Sequence, residues 1–163
     1  MIRAEIAVDE ASIRKVNEAA FGGRDEADLM ERLRAEGAVL LSLVAVEDGE
    51  IRGHILFSRM WIDTEAGALE AAALAPMAVL PEYQRSGIGG KLIREGLRLL
   101  QDERIVIVVG HANYYPRFGF STALASGLES PFPREGFMAL ELQPGALEGV
   151  RGKVRYAEAF GIG

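Results

Sequence analysis

The residues in this sequence with the clearest chemical potential form the segment 84–89, which reads Gln-Arg-Ser-Gly-Ile-Gly. An apolar stretch ending at Val79 precedes it and apolar residues at helical spacing follow it, so we expect a strand-to-helix turn. Backbone N–H groups and the dipole at the start of a helix favour an anion. Because Gly87 and Gly89 lack a Cβ, a ligand can approach this backbone closely. The pattern therefore predicts a phosphate or pyrophosphate site.

Two common phosphate-binding motifs do not fit this segment. A P-loop requires Gly-x4-Gly-Lys-Ser/Thr, but Leu92 follows Lys91, and Arg85 stands where the first glycine is required. A dinucleotide fingerprint requires a third glycine at the position of Leu92. A tight turn that binds no ligand remains the alternative interpretation of the two glycines.

The segment fits the pattern Gln/Arg-x-x-Gly-x-Gly/Ala in full, and Val79-x-Pro81-x-Tyr83 lies just before it. In both features the chain resembles the acetyl-CoA-binding motif of the GNAT acetyltransferase superfamily. The resemblance implies that the backbone of residues 84–89 holds the pyrophosphate and that residues 77–79 pair with the pantetheine arm. It also implies that the Val79 N–H polarises the thioester carbonyl. The cofactor-binding residues implied in this way are Met77, Ala78, Val79, Gln84, Arg85, Ser86, Gly87, Ile88, Gly89, Gly90, Lys91, Asn113, Tyr115 and Phe118.

A second segment, residues 111–120, follows the apolar strand Ile105–Val109 and reads His-Ala-Asn-Tyr-Tyr-Pro-Arg-Phe-Gly-Phe. It resembles the second GNAT signature, and together with the closing pattern of residues 152–160 it is similar to the YhbS-like subgroup. The resemblance places Tyr115 near the thioester sulfur as the general acid, where a phenol can protonate the departing thiolate or hydrogen-bond to it. The alternatives are a packing role for Tyr115 and a helix-capping role for Asn113.

The sequence leaves the general base open. The incoming amine must lose a proton, directly or through water, and several members of the family use a glutamate in the first half of the long strand. Residues 71–75 offer no carboxylate there. The candidate bases are therefore Glu70, at the start of that strand, and His111, after Ile105–Val109. His54 is the other histidine, and a structural hydrogen bond is the alternative role for either imidazole.

The composition limits the class of protein. A chain of 163 residues, with 49% hydrophobic and 26% charged residues, suits one globular domain over residues 1–163. The absence of cysteine excludes disulfides, a thiol nucleophile and thiolate metal sites, and we expect no metal. The net charge of −6 argues against a nucleic-acid partner. Since there is neither a long apolar segment nor a signal-peptide pattern, we expect a cytoplasmic protein without a membrane partner.

Hydrophobic periodicity and turn residues predict a mixture of strands and helices. We expect one helix between Asp9 and Gly22, a second over residues 25–36, and a third after the phosphate turn. The expected strands cover residues 2–8, 40–46, a return strand from 51, 69–79, 105–109, 118–122, 137–142 and an edge strand within 150–160. Asp48-Gly49 predicts a hairpin turn before the return strand. This order matches the GNAT fold, which implies an α/β protein (α+β by some schemes) whose mixed central sheet has about six to seven strands flanked by helices.

These features together predict an acetyl-CoA-dependent N-acetyltransferase that moves an acetyl group directly to a primary amine. A non-catalytic acyl-CoA-binding module is the alternative, because the strand carboxylate is absent. The resemblance implies that the acceptor, a small molecule or a peptide, meets residues 21–33 and 123–137, whose composition identifies no substrate. The edge strand expected near residues 150–156 also predicts a homodimer.

Overall fold

The computed structural model describes residues 1–162, in which three helices accompany one mixed sheet. The helices are α1 (Glu10–Phe21), α2 (Asp25–Ala35) and α3 (Ile88–Leu99). The strands are β1 (Ile2–Ala4), β2 (Val39–Glu47), β3 (Glu50–Thr64), β4 (Gly67–Val79), β5 (Ile105–Val109), β6 (Leu128–Glu129), β7 (Phe137–Glu141) and β8 (Gly152–Arg155). The strand order is β1-β2-β3-β4-β5-β7, and β8 pairs with β3 and β6. The predicted α/β class with a mixed sheet is confirmed.

The chain divides into two compact units. The first unit contains Met1–Ser58 and Ala75–Leu99, and the second contains Arg59–Leu74 and the chain from Leu100 onward. Strands β3 and β4 contribute residues to both units. The prediction of a single domain over residues 1–163 stays a prediction.

The first unit is built on the antiparallel strands β1, β2 and the first part of β3. The predicted hairpin turn at Asp48-Gly49 joins β2 to β3, and the register pairs Val44 with His54. Helices α1, α2 and α3 each bury one face, as their apolar spacing predicts. The buried residues of these faces are Ile13, Val16 and Asn17, then Ala27, Met30 and Leu33, then Ile88, Leu92, Ile93 and Gly96.

The second unit has its core around β5. This strand runs parallel to β4, with Ala72 paired to Val106 and Ala73 to Ile107, and antiparallel to β7. The continuous apolar run of β5 is buried from Ile105 to Val108, as expected for a strand inside a sheet. The core also contains buried apolar side chains from the other strands and from the late loops, namely Met60, Ile62, Ala71, Ala125, Leu128, Phe137, Ala139, Ala146, Leu147 and Val154.

Two predicted strands are wrong in extent or type. The first was expected over residues 2–8, but β1 ends at Ala4 and a 3-10 turn covers Ala7–Asp9. The Asp9 carboxylate accepts a hydrogen bond from the Ile6 N–H at 2.8 Å and pairs with Arg3 at 2.7 Å, and these contacts brace the turn that follows β1. The strand expected over residues 118–122 is absent from the described residues, because a 3-10 turn covers Tyr115–Phe118 and one isolated bridge joins Ser121 to Ala139.

The predicted edge strand within residues 150–160 is also corrected. Strand β8 covers only Gly152–Arg155 and lies between β3 and the two-residue strand β6. It is therefore not an edge strand, since backbone partners flank it on both sides. Its side chains alternate as in a strand, because Val154 is buried while Lys153 and Arg155 are exposed.

Candidate active site

The predicted phosphate turn is an exposed, internally braced loop in the first unit. A 3-10 turn covers Pro81–Tyr83, and the Leu80 N–H donates to the carbonyl of Arg52 at 2.9 Å. The side-chain amide of Gln84 donates to the Val79 carbonyl at 3.0 Å, and the Ser86 hydroxyl donates to the Tyr83 carbonyl. These bonds fix the loop at both ends before α3 begins.

Two residues in the loop have left-handed backbone conformations. Gly87 has φ of 91° and Arg85 has φ of 64°. Glycine adopts such angles without steric cost, whereas a residue with a Cβ does so at a cost that neighbouring contacts must offset. These two left-handed residues turn the chain sharply just before α3 begins at Ile88.

The loop presents an unusually long run of free backbone donors. The first hydrogen bond of α3 runs from the Lys91 N–H to the Gly87 carbonyl at 3.1 Å. Within residues 1–162, no protein group accepts a hydrogen bond from the N–H groups of residues 85–90. Three of these groups belong to the first helical turn, which always lacks internal acceptors. The arrangement favours an anion with several oxygen atoms, such as a pyrophosphate.

The donor run begins one residue later than predicted. The Gln84 N–H donates to the Pro81 carbonyl at 3.4 Å, so Gln84 braces the loop through both its backbone and its side chain. The side chains of Arg85 and Lys91 are exposed, and neither forms an ion pair with any residue in the described part of the chain. Two positive charges therefore stand beside the free N–H groups.

The end of β4 leads into this loop. Pairing of β4 with β5 covers only Ala72 and Ala73, so residues 77–79 lie beyond its end. Met77 and Val79 are half-buried, while Ala78 between them is buried, as the alternation of a strand requires. Pro76, which has no N–H, comes directly before this segment.

The second predicted segment surrounds Tyr115 in the second unit. The N–H groups of Tyr114 and Tyr115 both donate to the His111 carbonyl, at 3.1 and 3.3 Å. The Tyr115 ring packs edge-on against Tyr114 and Phe120, with centroids 5.2 and 5.8 Å apart. A Cβ at residue 110 would clash with this ring, so Gly110 lets the ring lie against the end of β5.

The phenol of Tyr115 stays protonated at neutral pH. The residue is only 8% exposed, and burial, with a smaller contribution from Tyr114, raises the pKa of Tyr115 to about 12. Burial disfavours the phenolate because a low-dielectric surrounding destabilises charge. Tyr115 is therefore a hydrogen-bond donor across the physiological pH range.

Other predicted residues of this segment have distinct surroundings. Asn113 and His111 are exposed. Phe118 is half-buried, and its ring centroid lies 5.3 Å from that of Tyr114. The Phe118 ring thus supports Tyr114, which in turn packs against Tyr115.

Glu70, His54 and His111 are the three side chains considered as the general base, and they differ in burial and in their ionic contacts. Glu70 is paired with Arg59 at 3.8 Å and lines a cavity of about 460 Å³ together with Asp102 and Glu103. His54 is fully buried, and burial, followed by the charge of Arg34, lowers its pKa to about 3. The imidazole of His111 is exposed, and it lies in the same segment as Tyr115.

One feature of the loop was not predicted from the sequence. The guanidinium carbon of Arg52 lies 4.1 Å from the centre of the Tyr83 ring. The pattern Val79-x-Pro81-x-Tyr83 marked the tyrosine, but no local signal marked its partner on β3. The two residues come together because β3 lies beside β4 in the sheet and the Leu80 N–H bonds to the Arg52 carbonyl.

The family assignment follows from comparison with known proteins. The profile of the acetyltransferase (GNAT) family matches residues 11–120, about two thirds of the chain. The chain belongs to the GNAT family. The predicted resemblance is thereby confirmed, and the exposed loop of residues 84–89 lies inside the matched region.

Two curated relatives narrow the assignment within the GNAT family. The N-acetyltransferase YhbS of Escherichia coli K12 is 34% identical over 165 aligned positions, which cover 98% of both chains. The N-acetyltransferase YjhQ of the same strain is 42% identical over 130 positions, covering 77% of this chain and 72% of YjhQ. This GNAT chain is therefore a YhbS-like N-acetyltransferase, as predicted.

Solved structures agree with this assignment. The crystal structure of Escherichia coli YhbS in complex with CoA has a TM-score of 0.90 and 34% identity, covering 99% of this chain and 92% of YhbS. A GNAT acetyltransferase from Brucella melitensis in complex with acetyl-CoA has a TM-score of 0.82 and 39% identity, covering 98% of this chain and 97% of the other.

Two structural features are absent from residues 1–162. No helix in that range has the length and apolar character needed to cross a membrane. In the same range, no group of three or more histidine, aspartate or glutamate side chains is arranged to hold a metal ion.

Proposed function

We propose that this GNAT enzyme uses acetyl-CoA as co-substrate and transfers the acetyl group directly to a primary amine. The observation that carries the proposal is the run of free N–H groups over residues 85–90, with Arg85 and Lys91 beside it. The CoA and acetyl-CoA complexes of the two similar structures support the choice of cofactor.

In this proposal the pyrophosphate of acetyl-CoA accepts hydrogen bonds from the loop. Six donors and the dipole of α3 offset the loss of hydration of the two phosphates. Arg85 and Lys91 add charge from the exposed side. The backbone of Met77, Ala78 and Val79 pairs with the pantetheine amides, and the Val79 N–H polarises the thioester carbonyl.

The chemical step is attack of a neutral amine nitrogen on the thioester carbonyl carbon. A C–N bond forms, the C–S bond breaks, the CoA thiolate leaves with the electron pair, and the amine loses a proton. We assign Tyr115 as the donor to that thiolate. A thiol has a pKa of about 8.5, well below the value of about 12 for Tyr115. That order favours a hydrogen bond to the departing sulfur over complete proton transfer.

We propose His111 as the group that accepts the amine proton, directly or through water. Its imidazole is exposed and lies four residues before Tyr115 in the same segment. Glu70 is the second choice, because its carboxylate is already paired with Arg59. Asn113 and Phe118 are assigned to the cofactor side of this segment through the family resemblance.

A non-catalytic acyl-CoA-binding module is the second proposal. It is favoured by residues 71–75, which include no carboxylate; Ala71 to Leu74 are buried. A thiol-release assay with a panel of amines separates the two proposals once CoA binding has been measured by calorimetry. Release of free CoA that depends on an added amine supports the enzyme. Tight CoA binding without release for any amine supports the binding module.

The acceptor and the assembly state complete the proposal. The acceptor is proposed to be a small molecule or a peptide with a primary amine, bound by residues 21–33 and 123–137. The homodimer stays a prediction, although β8, which motivated it, has partners on both sides. Light scattering at micromolar concentration measures it. The cytoplasm stays the predicted location.

A further inference from the structure

We propose that Arg52 is a positioning residue for the acetyl-CoA loop and acts through Tyr83, an inference that rests on the cofactor site proposed above. The Arg52 Cζ atom lies 4.1 Å from the centre of the Tyr83 ring. At that distance the ring face attracts a cation electrostatically. The Arg52 carbonyl also accepts the Leu80 N–H at 2.9 Å. One residue of β3 thus holds the loop through both its backbone and its side chain.

The guanidinium of Arg52 is fixed in orientation by three carboxylates. Its Nε atom lies 3.0 Å from Oε1 of Glu50, its Nη1 atom lies 3.1 Å from Oε2 of Glu47, and its Nη2 atom lies 3.3 Å from Oδ2 of Asp48. The arginine side chain is only 15% exposed, whereas the three carboxylates are at least half exposed. Because every guanidinium nitrogen is already engaged, Arg52 acts on the loop through Tyr83 rather than by binding a phosphate itself.

Tyr83 connects this support to the free donors. Its N–H donates to the Leu80 carbonyl at 2.9 Å, and its carbonyl accepts the Ser86 hydroxyl. Between them lies Arg85 with φ of 64°. A residue with a Cβ persists in that conformation only where its surroundings over-determine it. Release of the Tyr83 ring would loosen the bond from Ser86, and the N–H groups of residues 85–90 would lose their present arrangement.

The test measures CoA affinity and steady-state kinetics for variants at both ends of the contact. Arg52→Met keeps the aliphatic stem and removes the charge, and Tyr83→Leu removes the ring. We expect each to raise the Kd for CoA and the KM for acetyl-CoA about three- to tenfold, the range of one partly exposed cation–π contact. Turnover at saturating acetyl-CoA should stay within about twofold, because the loop takes no part in bond breaking.

Controls separate positioning from stability. Arg52→Lys and Tyr83→Phe keep a cation and a ring, and should recover most of the affinity. Glu10→Gln removes an exposed charge from the first turn of α1, does not alter the contacts of Arg52 or Tyr83, and should leave affinity unchanged. The double variant Arg52→Met/Tyr83→Leu should be no weaker than the worse single variant, because both remove one contact.

The outcomes distinguish this inference from the proposed function. If the parent protein binds no CoA, the proposed function is overturned and the inference falls with it. If the parent binds CoA and the folded Arg52→Met variant binds it equally well, only the inference is overturned. Additive losses in the double variant also overturn it. Should Tyr83→Leu fail to fold, the pair Arg52→Met and Arg52→Lys decides the question alone.

Discussion

The Nε2 atom of His54 lies 2.8 Å from the Oγ of Ser42, inside the first unit where His54 is completely buried. The Asn17 amide donates to the Ile13 carbonyl at 3.0 Å and lies 3.4 Å from His54 Nδ1. His54 Nδ1 is then the acceptor and Nε2 carries the proton that is donated to Ser42. The Ser42 hydroxyl in turn donates to the carboxylate of Glu5.

This direction of donation excludes Ser42 as an activated nucleophile. Activation would require His54 Nε2 to accept the hydroxyl proton, but here it donates. The Glu5 carboxylate, which is the last acceptor in this series of hydrogen bonds, is paired with Arg34 at 3.1 Å. His54 is therefore a structural residue. Its contacts support the structural hydrogen bond that was the alternative to a role as general base.

His54 predicts a specific dependence of stability on pH. Its folded pKa of about 3 lies below the ordinary value of 6.5, so between those values the unfolded chain binds a proton that the folded chain does not. The free energy of unfolding should therefore be constant above about pH 6.5. As the pH falls further it should decrease, approaching about 1.4 kcal/mol per pH unit for one proton.

Chemical denaturation of the parent and of His54→Gln between pH 5 and 8 measures this contribution. Glutamine keeps a donor toward Ser42 but does not titrate, so the variant should be less stable at pH 8 and show a flatter profile. Carboxylates such as Asp9, whose pKa is lowered by Arg3, lose their contribution at lower pH and affect both proteins alike. Equal slopes in the two proteins would contradict the assignment.

Tyr115→Phe should lower turnover with little change in acetyl-CoA affinity. The ring keeps its packing against Tyr114 and Phe120, but the proposed hydrogen bond to the departing thiolate is lost. General acid catalysis contributes about two to four powers of ten, and a weaker donor with a pKa of about 12 belongs at the lower end. The steady-state rate of CoA release is the measurement.

The matched control for that variant is Tyr156→Phe. Within residues 1–162 the buried Tyr156 hydroxyl has no hydrogen-bond partner, so its removal should leave turnover unchanged. Because the pKa of Tyr115 is raised, ionisation of this phenol should cause no loss of activity below about pH 11. A Tyr115→Phe variant as active as the parent across this range would reduce Tyr115 to a packing residue.

His111→Gln should lower the rate with an amine acceptor by about one to two powers of ten, since general base catalysis is lost. Glu70→Gln should lower it less, because the Glu70 carboxylate is paired with Arg59. Rates at several pH values with one amine make the comparison. A larger loss for Glu70→Gln would reverse the assignment, and equal, small effects would favour proton transfer to water.

Local signals predicted the parts of this protein that depend on local physics. Gly87 and the helical spacing after it predicted the turn into α3, and Asp48-Gly49 predicted the hairpin between β2 and β3. Local sequence patterns did not predict the contacts between separate segments. The pairing of Arg3 with Asp9 braces the turn that follows the short strand β1, and β8 has a second neighbour because β6 pairs with it.

The same limit applies to the candidate site. The glycine pattern predicts the phosphate turn, and the family resemblance of its segment predicts the role of Tyr115; both stay predictions. Arg52 carried no such mark, because its stacking on Tyr83 depends on the return of β3 beside the loop. The acceptor also stays open, since residues 21–33 and 123–137 have no composition typical of one substrate.

The central claim is that the backbone of residues 85–90 binds the pyrophosphate of acetyl-CoA, and titration calorimetry with CoA tests it most directly. Gly89→Val places a branched side chain in the first turn of α3 and should fold, because valine is no worse than glycine in a helix. Leu99→Val, at the exposed far end of α3, is the matched control. We predict that the parent and Leu99→Val bind CoA alike, and that Gly89→Val binds at least about tenfold more weakly, the loss expected when a Cβ blocks close approach to the backbone. Equal affinity of folded Gly89→Val and the parent would contradict the account.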